Sequence, residues 1–164
     1  MTRSEAGLLA LLRDLDDPEW LEWPRDYNRS QTTALFDGLV ARLDRDFTAH
    51  CVAEWDTQDS SEYGRVVVPA EATVCGTRIV ICVSKFGSLA LVCAENPGAF
   101  LGTEDAQAEG ELDVADLARA RRALVDLGYA VLPEELLEGD YDGPSQLPAH
   151  VQRPSWWHRF FGTF

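Results

Sequence analysis

The sequence predicts an α+β fold: an antiparallel, four- to five-stranded meander sheet packed with N-terminal helices and one helix in the C-terminal half. Residues 64–96 form a nearly uncharged, strand-like stretch, and segments with helical periodicity lie on both sides of it. The length of 164 residues fits a single α+β domain over residues 1–164. Hydrophobic residues make up 46% of the chain, which predicts a packed core despite a net charge of −14.

Two helices are predicted before the sheet. In residues 4–15, leucines recur at spacings of three and four, with Ser4 as the N-cap. Residues 30–47 carry a broader apolar stripe at the same spacing. This stripe comprises Leu35, Phe36, Leu39, Val40, Leu43 and Phe47. Between the helices, an aromatic group at residues 20–23 either covers an edge of the core or anchors a partner.

Four strands are predicted next, over residues 51–55, 63–68, 78–86 and 88–95. The first alternates in polarity, which predicts a half-buried strand with Cys51, Ala53 and Trp55 on its apolar side. Gly87 suits a tight connection between the last two strands. Links this short favour antiparallel pairing, because parallel strands need a long crossover.

The two central strands are apolar on both faces. Ile79, Ile81 and Val83 alternate with Val80 and Cys82. A sheet with one solvated face would alternate more cleanly between apolar and polar residues. Either helices or a partner must therefore cover the second face as well as the first.

The C-terminal half is expected to add a helix and several short elements. Residues 96–111 contain three glycines and a proline and are expected to be irregular. Asp113 is a suitable N-cap for a helix that ends at Leu127. Its buried side is expected to comprise Val114, Leu117, Ala120, Leu124 and Leu127. Residues 129–132 suit a fifth, short strand, and residues 133–137 suit one helical turn.

Aromatic residues crowd the tail at residues 153–164, RPSWWHRFFGTF, where Ser155 is expected to cap a helical turn. These aromatic side chains either tuck against the sheet and complete the core, or form an exposed patch that binds a partner. We favour the first interpretation because a long exposed aromatic tail promotes aggregation.

Acidic residues outnumber basic ones by 28 to 14, and the excess lies outside the sheet. Such a charge disfavours binding to nucleic acid or anionic membranes, which attract clustered Lys and Arg, and it favours steering of a basic protein partner. The predicted partner-binding residues are Glu104, Asp105, Glu109, Glu111, Asp113, Asp116, Asp140 and Asp142. Part of this acidity also suits the N-terminus of a helix, whose macrodipole favours carboxylates.

Sequence motifs for chemistry are missing. No P-loop, dinucleotide-binding, metalloprotease or serine-hydrolase motif occurs, so no catalytic residue, metal ligand or cofactor is predicted, and the protein is not expected to be an enzyme. Residues 140–143 have two acids and a glycine of a calcium loop but lack its later glutamate, so a turn is expected. His50 and Cys51 are adjacent strand residues and should point to opposite faces.

The four cysteines are expected to be reduced thiols, with a Cys75–Cys82 bridge as the alternative. The N-terminus has none of the features of a signal peptide, and no apolar run reaches the ~20 residues of a membrane span. A cytoplasmic location is therefore expected.

The order of elements, the segments DSSEYGRVVVP and VSKFGSLALV and the aromatic end resemble small bacterial immunity proteins that accompany polymorphic or contact-dependent toxins. The resemblance implies stoichiometric blocking of a toxin domain, often a nuclease with a basic substrate cleft. Carboxylates would then pair with the Lys and Arg that otherwise meet phosphate, and aromatic side chains would form the desolvated centre.

Two other classes of function remain open. A chaperone for a secreted effector would hold an extended segment on an apolar face, as a homodimer. A small ligand-binding or enzymatic domain would have its pocket between sheet and helices. A monomeric mass counts against the chaperone, and a deep polar pocket favours the ligand-binding domain.

Overall fold

A five-stranded sheet separates two layers of helices in the computed structural model, which describes residues 4–55 and 59–163. The helices are α1 (Glu5–Leu15), α2 (Arg29–Asp46), α3 (Thr103–Ala108), α4 (Val114–Asp126), α5 (Glu134–Leu137) and α6 (Trp156–Phe161). The strands are β1 (Val52–Trp55), β2 (Glu62–Val68), β3 (Ile79–Ser84), β4 (Leu89–Ala94) and β5 (Ala130–Val131), and a 3-10 turn spans Ala70–Ala72. The predicted α+β class is confirmed.

The strands lie in the sheet in the order in which they occur in the chain, and β1 to β4 pair antiparallel as predicted. The fifth strand is a correction, because β5 pairs parallel to β4, with Ala130 opposite Leu89. A parallel pair needs a long crossover, and α3 and α4 supply it. The expectation that residues 96–111 are irregular is also wrong in part, since they contain α3.

Helices cover both faces of the sheet. Ile79, Ile81 and Val83 pack into a core with α2 and α4, whereas Val80 and Cys82 face α1, α5 and α6. All five side chains are fully buried or nearly so. Full burial of one such aliphatic side chain contributes roughly 1.5–3 kcal/mol, so neither layer can leave the sheet without a large loss of stability.

The β3–β4 hairpin is tight because two consecutive residues adopt left-handed backbone angles. Gly87 has φ of 54° and Ser88 has φ of 52°, and the Leu89 amide donates to the Phe86 carbonyl across the turn. A Cβ on Gly87 would lie 2.5 Å from a methyl carbon of Leu15. Glycine is therefore required both for the turn and for the close approach of α1.

The aromatic tail completes the core, as the favoured interpretation expected. Trp156, Phe160 and Phe161 are buried in α6, while Phe164 lies outside the described residues. Arg159, between them, is completely buried, and its Nε donates to the Asp16 carboxylate at 2.6 Å. Its other nitrogens donate to the carbonyls of Asp17, Trp20 and Leu21. Arg159 thus ties the C-terminal helix to the loop after α1.

Two side chains expected to face the core are exposed instead. Trp55 is 58% exposed because β1 is the outer strand and Trp55 lies opposite Gly64, which offers no side chain to pack against. Val114 is 68% exposed because it is the first residue of α4, and the buried stripe begins one turn later at Leu117. Within residues 4–55 and 59–163, each helix is too short or too polar to cross a membrane.

Candidate functional site

Six of the eight predicted acids lie on or beside α3 and the N-terminus of α4. We call this region, residues 101–116 together with the adjoining loop at residues 74–77, the α3–α4 surface. Ala106 and Leu117 anchor it to the core that contains α2. Three of its acids accept hydrogen bonds that fix the loop at residues 74–77 and the start of α4. The other three lie along α3.

Three of these carboxylates build the surface. The Thr77 hydroxyl donates to Glu111, and the Val74 amide donates to Asp116 at 2.8 Å. Asp113 is the N-cap of α4 and accepts from the amides of Ala115 and Asp116. Asp116 is itself buried and cannot meet a partner directly. These contacts hold the loop at residues 74–77 against the start of α4.

The remaining three acids lie along α3. Glu104 and Glu109 are exposed and form no ion pair with any residue in the described part of the chain. Asp105 accepts from the Leu101 amide at 3.0 Å, which ties the chain just before α3 to the first turn of the helix. Part of the negative charge on this surface is therefore carried by carboxylates that form no ion pair with a described residue, although the Arg121 guanidinium donates to the Thr103 hydroxyl at the start of α3.

Exposed apolar side chains accompany these acids. Val74, Leu101 and Val114 are 71%, 70% and 68% exposed, the three highest values among the large apolar residues described. Val74 and Val114 adjoin the carboxylates that build the surface, and Leu101 precedes the exposed acids of α3. Burial first, and then the charges of Asp113, Asp116 and Glu111, raise the pKa of the Cys75 thiol in the same loop.

The other two predicted acids lie elsewhere. Asp140 and Asp142 flank Tyr141, which packs against the core on the α1 side of the sheet. Asp142 forms an ion pair with Arg13 at 2.9 Å, and the Tyr141 hydroxyl donates to Asp16. The structure therefore does not join these two acids to the α3–α4 surface. Nowhere in residues 4–55 and 59–163 do three or more His, Cys, Asp or Glu side chains group in a way that could hold a metal ion.

A polar cleft of about 730 Å³ opens at the β1–β2 edge, on the α6 side of the sheet. No pattern in the sequence predicts this cleft. One wall comes from β1, β2 and Ser60, which lies two positions before β2, and the other from the C-terminal segment. The lining residues that carry charge or an imidazole or indole ring are Glu54, Glu62, Arg65, His150, Arg153, Trp157 and His158.

A β-bulge forms the sheet wall of this cleft. Glu62 pairs with Ser84 and Gly64 with Val83, so Tyr63 is an extra residue in β2. The bulge turns Glu62 to the same face as Arg65, whose Nε and Nη2 donate to its carboxylate at 2.8 and 3.2 Å. Burial raises the pKa of Glu62, and Arg65 lowers it by a smaller amount.

Strict alternation would have placed Glu62 and Arg65 on opposite faces, which is why the pair could not be read from the pattern. Gly64, inside an otherwise β-branched strand, is the one available signal, because glycine in a strand often marks a bulge or a close backbone approach. A Cβ on Gly64 would lie 2.3 Å from the Glu54 carbonyl oxygen.

The C-terminal wall supplies hydrogen-bond donors. His158 accepts the Ser155 amide on Nδ1, which leaves Nε2 as the protonated nitrogen of the neutral ring. Burial, and after it the nearby His150, lowers the pKa of His158. Arg153 is exposed and has no carboxylate partner among the described residues. The Trp157 indole N–H is buried and, within the same residues, has no acceptor.

Comparisons of the chain with protein-family models, with curated proteins and with solved structures gave no match. The fold and the sites define a class: an α+β protein with helices on both faces of a mixed, mostly antiparallel sheet. It carries an acidic surface on one side and a separate polar cleft on the other.

Proposed function

We propose that this protein binds a basic protein through the α3–α4 surface, and that the partner is a toxin domain which it neutralises stoichiometrically in the cytoplasm. The observation that carries the proposal is that the α3–α4 surface combines Glu104 and Glu109, which have no ion-pair partner among the described residues, with the three most exposed large apolar side chains described. Protein interfaces combine a desolvated apolar centre with a polar rim in this way.

The charge of the chain supports the same proposal. A net charge of −14 attracts a cationic partner over distances longer than a contact, which raises the association rate at low ionic strength. Val74, Leu101 and Val114 would then supply the apolar area that favours the bound state. Under this proposal Glu111, Asp113 and Asp116 act indirectly, since they hold the surface in shape.

The first experiment identifies the partner and asks whether it is toxic. Proteins from a lysate of the native organism that bind to the immobilised chain are identified by mass spectrometry. The product of the adjacent gene is a further candidate. A candidate is then expressed alone and with this chain. The proposal expects growth arrest that the chain relieves; a candidate that binds but leaves growth unchanged would contradict neutralisation.

The second experiment tests the surface. In Glu104→Lys/Glu109→Lys, the association rate constant with the identified partner should fall about tenfold or more at ~10 mM ionic strength, and less at ~150 mM. The matched control is Asp14→Lys/Glu138→Lys, two exposed acids on the other side of the sheet that are outside the predicted partner-binding set and give the same change in net charge. Equal slowing of both variants would assign the effect to net charge alone, and no slowing would exclude the surface.

Solution mass separates this proposal from a chaperone. A monomer in free solution that forms a one-to-one complex fits neutralisation. A homodimer that binds an unfolded segment of its partner fits the chaperone. Sedimentation equilibrium of the chain with and without the identified partner distinguishes the two.

A further inference from the structure

We propose that the cleft at the β1–β2 edge binds a small molecule through a carboxylate or phosphate group. This site is separate from the α3–α4 surface, and it lies on the other face of the sheet. Its volume of about 730 Å³ falls within the range typical of small-molecule sites.

Donors that suit an oxyanion line both walls. On the sheet wall, Arg65 uses Nε and Nη2 for Glu62, and its Nη1 forms no hydrogen bond with any described residue. The buried Glu62 carboxylate therefore fixes the guanidinium while one of its nitrogens stays available. A guanidinium held in this way loses little side-chain entropy when it binds an anion.

On the opposite wall, Arg153 is the second cation. Most other arginines in the described part of the chain pair with a carboxylate, as expected where acids are in twofold excess. Arg153 instead lines a cleft together with two of the three histidines of the chain. The cleft thus has two arginines against two glutamates, a balanced local charge within a strongly acidic protein.

Trp157 and His158 complete this wall. The Trp157 ring lines the cleft, and its indole N–H is buried without an acceptor among the described residues, so its resonance reports on changes close to the cleft. His158, held by the Ser155 amide as the tautomer protonated on Nε2, is a further donor on this wall.

Glu54 limits the size and charge of the ligand. It lies opposite Arg65 in the β1–β2 pairing and lines the same cleft. A carboxylate at this position, together with the net charge of the chain, opposes an extended polyanion but allows a single oxyanion group between the two arginines. The ligand class is therefore a small organic acid or phosphorylated metabolite, and not a nucleic acid.

The test is a titration of the ¹⁵N-labelled protein with inorganic phosphate and, separately, with succinate. At about 10 mM, which saturates a site with a Kd of about 1 mM, one or both anions should shift the backbone amides of residues 150–163 and the Trp157 indole N–H. Phosphate alone indicates a phosphorylated ligand, and succinate alone indicates a carboxylic acid. If neither anion produces a saturable shift there, the proposal is overturned.

Two variants locate the binding. Arg153→Gln should weaken the titrated affinity about tenfold, since it removes a charge-assisted hydrogen bond. The matched control is Arg122→Gln, an exposed arginine on α4 that also lacks a carboxylate partner among the described residues. It should change the affinity less than about twofold. Equal weakening in both variants would assign binding to general charge and overturn the site. Arg153 lies outside the α3–α4 surface, so this outcome does not bear on partner binding.

Discussion

Replacing Arg159 by methionine is expected to lower the free energy of unfolding by about 3–5 kcal/mol, the usual cost of removing one partner from a buried ion pair. Arg159 and Asp16 have side-chain exposures of 0% and 1%. Methionine has a similar length and no charge, so the Asp16 carboxylate would remain buried without its cation. The carbonyls of Asp17, Trp20 and Leu21 would also lose their donor.

Adding a separate penalty for each lost hydrogen bond would overestimate the effect. Each buried acceptor left alone costs about 1–3 kcal/mol, and the sum would approach the whole stability of about 5–15 kcal/mol expected for a domain. The loop after α1 is at the surface and can admit water to those carbonyls. The estimate therefore rests on the ion pair alone.

The assay is urea denaturation followed by circular dichroism, in a double-mutant cycle with Asp16→Asn. Because the two groups compensate each other, the double variant should lose less stability than the sum of the two single variants. If Arg159→Met does not fold, Arg159→Lys provides the measurement, since it keeps the charge but loses the planar fork. A loss below about 1 kcal/mol for Arg159→Met, or additivity within about 0.5 kcal/mol, would refute this account of the tail.

Two further predictions concern the core and the pH dependence of stability. Leu39→Ala should cost about 2–5 kcal/mol in urea denaturation because Leu39 is fully buried between α2 and the sheet, whereas the exposed control Val125→Ala should stay within about 0.5 kcal/mol. Burial raises the pKa of Glu134, which accepts from the Gly98 amide and the Cys93 thiol. The folded wild type therefore binds this proton more tightly than the unfolded chain and loses stability as the pH rises above the ordinary value of 4.5. Relative to wild type, Glu134→Gln should gain stability over that range, and a difference independent of pH would contradict the assignment.

Local patterns predicted the elements whose contacts are close in sequence. The leucine stripes predicted α1 and α2, and Asp113 caps α4 as expected. The short links predicted antiparallel pairing of β1 to β4, because each is shorter than the crossover of about a dozen residues or more that a parallel pair needs. The same patterns missed α3, whose six residues are too few to show a helical period among glycines.

The same local patterns predicted less about the candidate sites than about the helices and strands. The acids of the α3–α4 surface were visible as a run of like charge, but which of them are engaged inside the fold was not. Asp116 is an example, since its burial depends on the Val74 amide, 42 positions earlier in the chain. The cleft was missed altogether, because its walls come from β2 and from a tail about 90 residues later.

The sequence by itself determined that the sheet is apolar on both faces, that helices precede and follow it, and that the negative charge lies outside it. These properties depend on composition and on periods of two to four residues, so short segments of the chain are enough to determine them.

Only the tertiary structure decided the parallel pairing of β5, the bulge that joins Glu62 to Arg65, and the burial of Arg159 against the loop after α1. Each of these depends on backbone hydrogen bonds or ion pairs between segments that are distant in sequence. A local sequence period cannot predict these contacts, because the free energy of the whole packed chain determines which of them form.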